Sequence, residues 1–323
     1  MYNFAPGRHG GAAALMINSE TRREGRWKSF VYAFREAFNV LQANDPLRMA
    51  GATAFFTTFA LPAILIIIIQ ALRLLFEPRL ISRQLFGELR EVIGPEATHE
   101  VVETLQAFRG IAQNWLIAGI GFVFLLFVAT TLLKVMTSSV NQLWSIRPVV
   151  RGNFRQIMVS RLKGVALILC TGVLFVLGIV GDSASAFIGE YLLRYWPDVG
   201  MYYNSALQYL LSVLSATLWF ALVFYLLPDG RVNGKILLTG AFVTAILFNI
   251  GKLVLRWLLT YSNINSIYGA SASTVLLLLF VFYVSLIFYY GATFANVWAD
   301  ASGRPIQPRK YAIKYQLQDV RPE

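Results

Sequence analysis

The sequence predicts an all-α integral membrane protein: a six-helix transmembrane bundle with an amphipathic interfacial helix and a short helical outer loop. Three observations carry that expectation. Of 323 residues 57% are apolar and 14% charged, where soluble domains carry about 25% charge, and mean hydropathy is +0.58. Six stretches approach the ~20 mainly apolar residues needed to cross ~30 Å of hydrocarbon. The lysines and arginines gather on one side of those stretches, as retention of cations in the cytoplasm requires.

Residues 1–26 are rich in Gly, Ala and Arg without an apolar period, and are expected to be a disordered cytoplasmic tail. Residues 27–300 form the expected membrane domain. It opens with Trp27, Phe30, Val31, Phe34, Phe38 and Leu41, which recur at three- and four-residue spacing. Lys28, Arg35 and Glu36 fall elsewhere on that helical wheel. The helix either lies in the cytoplasmic interface or packs under the bundle. Asp45-Pro46 then places a capping acid before a proline suited to a first helical turn.

The expected spans are 49–72, 115–133, 164–181, 206–227, 236–259 and 272–297. Pro62 kinks the first, as structure or as hinge. The outer loop, 74–114, carries helical apolar stripes on both sides of Gly94-Pro95. Its six glutamates lack an Asp-x-Asp spacing and read as a solvated face. After the second span, residues 134–163 hold six cations and no acid, with Asn141 and Trp144 read as interfacial packing. Pro228-Asp229-Gly230 is a turn too short for a domain, so the fourth and fifth spans are expected as antiparallel neighbours. Small residues, among them Gly240, Gly291 and Ala295, permit close helix approach. Residues 301–323 are the expected cytoplasmic C-terminal tail.

Of the 28 cations, 20 fall on the side shared by both termini and five on the other; Arg73, Lys252 and Arg256 lie at or within span ends. Both termini are therefore expected in the cytoplasm, and the net charge of +11 is positive-inside asymmetry rather than a nucleic-acid footprint.

The chemistry of the chain excludes several classes. Two histidines and the single Cys170 do not make a usual zinc site, and no metal or other cofactor is expected. No phosphate-binding Gly-x-x-x-x-Gly-Lys-Ser/Thr and no Gly-x-Ser-x-Gly nucleophile motif occurs. The expectation is a protein that is not an enzyme.

Several motifs, in order, resemble the YihY/BrkB family of bacterial inner-membrane proteins over about residues 28–300. "DPLRMAGATAFFTTFALPAIL" resembles the family's opening Asp and its aromatic stretch ending in Leu-Pro. "VNQLW" resembles its Asn-x-x-Trp, and "YLLPDGRV" its Leu-Pro turn. Tyr268-Gly269 leads into the last span, and Gly291 with Asn296 gives its Gly-x-x-x-x-Asn. The resemblance implies six spans and a multi-pass inner-membrane location. It implies no settled activity: the family carries an old ribonuclease label, a link to serum resistance, and proposed lipid or envelope transport. The ribonuclease type behind that label needs a histidine/aspartate-rich motif, which this chain lacks.

The candidate binding residues are Arg73, Asn249, Lys252 and Arg256. Lys252 lies 17 residues after Lys235, roughly 25 Å along a helix, and Arg256 roughly 31 Å, which places both near the outer boundary. One reading is snorkelling to headgroups. The other is a cavity lined by these cations with Asn249, suited to a phosphate-bearing lipid headgroup. The expected function is transport or flippase-like carriage of an anionic lipid or envelope component; the alternative is a non-transporting scaffold for envelope integrity. The expected partners are membrane lipids, anionic headgroups above all, with a second copy of the chain or envelope proteins beside them and no nucleic acid.

Overall fold

The computed structural model describes residues 26–72, 115–149, 197–261 and 272–316, with shorter stretches inside 85–106 and 166–178. The described chain is mostly helical: α1 (Arg26–Gln42), α2 (Pro46–Leu72), α3 (Trp115–Leu143), α4 (Pro197–Leu226), α5 (Gly234–Tyr261) and α6 (Ala272–Ala301). Four short strands complete it: β1 (Ile146–Pro148), β2 (Gly230–Arg231), β3 (Gln307–Pro308) and β4 (Ala312–Lys314). The expected tail 1–26 lies, but for Arg26, outside the described residues, as do Arg73, Tyr268 and Gly269.

Among the described residues, three helical segments are long and apolar enough to cross a membrane: Tyr209–Leu226, Gly234–Leu255 and Thr274–Ala301. A shorter apolar helix, Leu169–Gly178, falls within the third expected span and carries a partly buried Cys170. The helix α3 runs ten residues past the expected end of the second span. Its extra turns remain helical because they pack: Ser139, Val140, Asn141 and Leu143 are all buried.

The organising element is α6, which packs against α1, α2, α3 and α5, while α4 packs along α5 as the Pro-Asp-Gly turn predicts. Small residues set the approach of α5 to α6. A Cβ at Gly291 would overlap Thr244 Oγ1, and one at Gly240 would stand 2.7 Å from the Ala295 Cβ. With no side chain between them, the helices gain dispersion contact, the main attraction between helices in a solvent as apolar as themselves.

The two readings of α1 divide by face. Ala33 and Ala37 are fully buried, and Phe30 meets Phe294 and Trp298 edge to face, so one stripe packs on α6. The adjacent stripe, Val31, Phe34 and Phe38, stays exposed, Phe38 by 52%.

All four strands lie at one end of the bundle. β1 pairs antiparallel with β4, and β2 with β3. The α1–α2 turn is there too, where Gln142 Nε2 donates to Asn44 Oδ1 at 3.3 Å. We call this the strand end.

Candidate functional site

The residues singled out in the sequence fall into two places. The first is the seam between α4 and α5. Lys252 Nζ donates to Ser212 Oγ at 3.2 Å, and Ser212 Oγ donates to Asn249 Oδ1 at 2.9 Å. Asn249 Nδ2 donates in turn to the Ala245 carbonyl at 2.9 Å, and the Lys252 ammonium lies 5.4 Å from the centre of the Phe248 ring. Asn249 is buried and Lys252 partly so.

The direction of the lysine follows from helix geometry. Every Cα–Cβ bond tilts toward the helix N-terminus, which for α5 is the strand end. The ring partner of Lys252 on the same helix, Phe248, lies four residues back toward that end. Because α5 extends to Tyr261 and α4 starts at Pro197, Ser212 sits at the middle of α4 and Asn249 within two residues of the middle of α5. Within the apolar segments Tyr209–Leu226 and Gly234–Leu255, Ser212 and Lys252 each lie three residues from the end away from the Pro-Asp-Gly turn. Arg256 is one turn further along α5, its side chain outside the described ones, and Arg73 is outside them altogether. Of the four candidates, the structure brings Asn249 and Lys252 together, through Ser212.

The second place is the strand end, where most of the remaining motif residues converge. Asn141 Nδ2 donates to Asp229 Oδ2 at 2.9 Å, and Asn141 Oδ1 accepts the Asp229 amide at 2.9 Å, a reciprocal pair 88 residues apart in sequence. Tyr311 OH donates to Asp229 Oδ1 at 2.9 Å. Burial, and then the Asp229 charge, push the Tyr311 hydroxyl up to about 12. Arg309 donates through its amide to the Asp229 carbonyl at 2.9 Å and through Nη2 to the Tyr225 carbonyl at 3.0 Å. The fully buried Trp144 donates its indole N–H to the Ala292 carbonyl at 2.8 Å. Asn296 Nδ2 reaches the Leu143 carbonyl at 3.3 Å, and its buried Oδ1 has no hydrogen-bond partner. Pro228 precedes this network, buried.

The backbone is shaped to admit these contacts. Gly230 is needed because a Cβ there would stand 2.9 Å from both Ile306 and Trp144 and 3.0 Å from Ile146. Ser145 takes a left-handed φ of 54°, a conformation costing an L-residue about 1–2 kcal/mol, and its carbonyl is held by the Tyr315 amide at 2.9 Å. Asp45 has φ 52° and precedes Pro46, which opens α2 as expected; the Asp45 carboxylate lies 3.8 Å from Arg48 Nε in an exposed pair. Pro62 lies within α2, its side chain outside the described ones.

Elsewhere, Thr58, Thr130, Thr131 and Thr217 bond to carbonyls of their own helices, as expected of membrane hydroxyls. Of the loop glutamates only Glu103 is among the described residues, paired with His99 at 3.6 Å on an exposed face. No group of metal-ligating side chains occurs among the described residues.

Sequence reasoning missed Asp229, Arg309 and Tyr311 as participants. A signal was present in "YAIKY", a short β-prone alternation between Pro308 and the chain end, which reads as a strand when given weight.

The motifs gathered at the strand end are the ones that carried the family resemblance, and comparison with known proteins agrees. A profile of the family described as Virulence factor BrkB matches residues 37–313. The chain belongs to the BrkB family. It is 24% identical over 283 residues to a UPF0761 membrane protein of Aggregatibacter aphrophilus, covering 85% of this chain and 93% of that one. It is 25% identical over 287 residues to a UPF0761 membrane protein of Haemophilus influenzae, covering 87% and 98%. A third, from Teredinibacter turnerae, is 25% identical over 297 residues; the match covers 89% of this chain and 65% of that relative, which is longer. No solved structure matches the chain. The matched BrkB-family span contains both the seam and the strand-end network.

Proposed function

We propose that this BrkB-family chain is a multi-pass carrier that accepts the anionic head of a lipid or envelope amphiphile at the α4/α5 seam, without an ATPase of its own. The observation that carries the reading is the Lys252 ammonium, hydrogen-bonded to Ser212, which in turn bonds to Asn249 in the α4/α5 seam. Ionisable residues within membrane helices are uncommon and mark substrate pathways. An ammonium beside a hydroxyl and a carboxamide offers one positive charge and several hydrogen bonds to a phosphate or carboxylate.

The reading includes six crossings with both termini in the cytoplasm. It is supported by the strand end, where α1, the turns after α3 and α4, and the residues after α6 all meet, as an even number of crossings requires. The basic flanks of the sequence lie in these same segments.

The test is reconstitution into liposomes with a fluorescent anionic lipid. Movement between leaflets above that of empty vesicles, and its reduction in Lys252→Gln, is the expected result. Movement equal to that of empty vesicles in folded protein overturns the reading. It would leave the second one, a membrane scaffold, which the close α5/α6 packing at Gly240 and Gly291 favours.

A further inference from the structure

The helices of the bundle fall into two groups on either side of α6. On one side are α2 and α3, packed on each other; on the other is the α4/α5 hairpin. The segment after α6 touches both groups at the strand end. β4 pairs with β1, which follows α3, while β3 pairs with β2, which lies in the hairpin turn. Between the two strands, Arg309 and Tyr311 bond to Asp229 of that turn, and Asp229 is bound to Asn141 of α3. Ile306, 2% exposed, fills the space above Gly230 against Trp144 and Ile146.

From this placement we propose that residues 302–316 form a displaceable latch that holds the two helix groups together at the strand end. The latch is built to come and go. Each strand is two or three residues long, far below the length of an independently stable hairpin. It sits at the margin of the bundle, and Gly303, at a left-handed φ of 67° with open space around it, provides a turning point directly after α6. The side chain that fills the joint, Ile306, is apolar and small enough to withdraw without leaving a charge behind.

The latch deepens the reading of the seam as a carrier site, and rests on that reading for its consequence. With the strand end closed, separation of the α4/α5 hairpin from α2 and α3 opens the far side of the bundle. Opening toward the strand end requires the latch to leave.

Two measurements on the full-length protein in liposomes test this, with Cys170 replaced by Ala. The first uses Ile306→Cys and a water-soluble maleimide. The latch gives slow but measurable labelling, and Tyr311→Phe raises its rate about fivefold, the shift expected for one hydrogen bond of ordinary strength. Labelling unchanged by Tyr311→Phe, with melting behaviour intact, overturns the latch whether or not the protein moves lipid. The second uses the register partners Arg231→Cys and Gln307→Cys, joined as a disulfide with copper phenanthroline and released with dithiothreitol. Loss of lipid movement on joining, restored on reduction, supports the latch. Equal movement in joined and reduced protein overturns it. Absence of movement in every form sinks the carrier reading and leaves the latch to be decided by labelling.

Discussion

The strand end and the α4/α5 seam both place polar side chains inside an apolar bundle, and they do so in opposite ways. At the strand end the bonds join residues 80 to 170 positions apart, and they link α3, the hairpin turn, α6 and the C-terminal residues. At the seam the bonds join neighbours in one hairpin, 37 and 40 positions apart, and the group includes the partly buried Lys252. The first arrangement fixes which helix stands beside which. The second adds little to that, because α4 and α5 are already neighbours through their short turn. The proposed carrier function rests on that second arrangement.

The contrast is sharpest for Trp144. Replacing this fully buried indole with alanine removes both its packing and its bond to Ala292. Large-to-small core changes of this kind cost about 3–5 kcal/mol, so Trp144→Ala should melt well below the parent protein in detergent. A melting curve that hardly moves would deny the strand end its organising role.

A smaller effect is expected from the Asn141–Asp229 pair. Asn141→Ala and Asp229→Ala should each destabilise, and the double variant should lose less than their sum. A coupling of about 1–2 kcal/mol from a double-mutant cycle is expected for two reciprocal hydrogen bonds, one of them to a carboxylate. Additive losses would mean that the two residues act separately.

The seam should answer differently. Lys252→Gln should change stability by less than about 1 kcal/mol, since removing a partly buried ammonium also removes its desolvation cost, while lipid movement falls. If Lys252→Gln instead destabilises as strongly as the strand-end variants, the distinction between the two regions fails.

The smallest effect is confined to alkaline solution. The Tyr311 hydroxyl is raised above its ordinary value of 10.0 to about 12 by burial and by the Asp229 charge. A group whose proton is held more tightly when folded contributes its stability below the unfolded value and loses it as pH rises through the folded one. The docking of the C-terminal segment should therefore be independent of pH through neutrality and weaken between about pH 10 and 12. Tyr311→Phe should abolish that dependence in a fluorescence or labelling titration.

Much of the molecule was legible in its residues, for reasons that differ by element. Helices α4, α5 and α6 were readable because an apolar run of sufficient length has few other stable forms. The neighbourhood of α4 and α5 followed from the brevity of Pro228-Asp229-Gly230; small residues such as Gly291 marked a close helix approach, but not that α5 and α6 are the helices that meet. Asn249 and Lys252 were recognisable as a pair by their three-residue spacing. Their linkage through Ser212 was not: that residue was one of several hydroxyls able to bond to their own helix or to a neighbour, and only folding selects its partners.

The sequence by itself determined the class of solvent, the approximate extents of the long helices and the side on which the cations gather, since hydrophobic length and charge asymmetry are local or additive properties. Tertiary structure alone decided that Asn141, Trp144, Asp229, Asn296 and Tyr311 meet at one end and that Lys252 bonds to Ser212. Those outcomes depend on which backbone and side-chain groups come within about 3 Å of each other across folded helices, a distance that no spacing along the chain encodes.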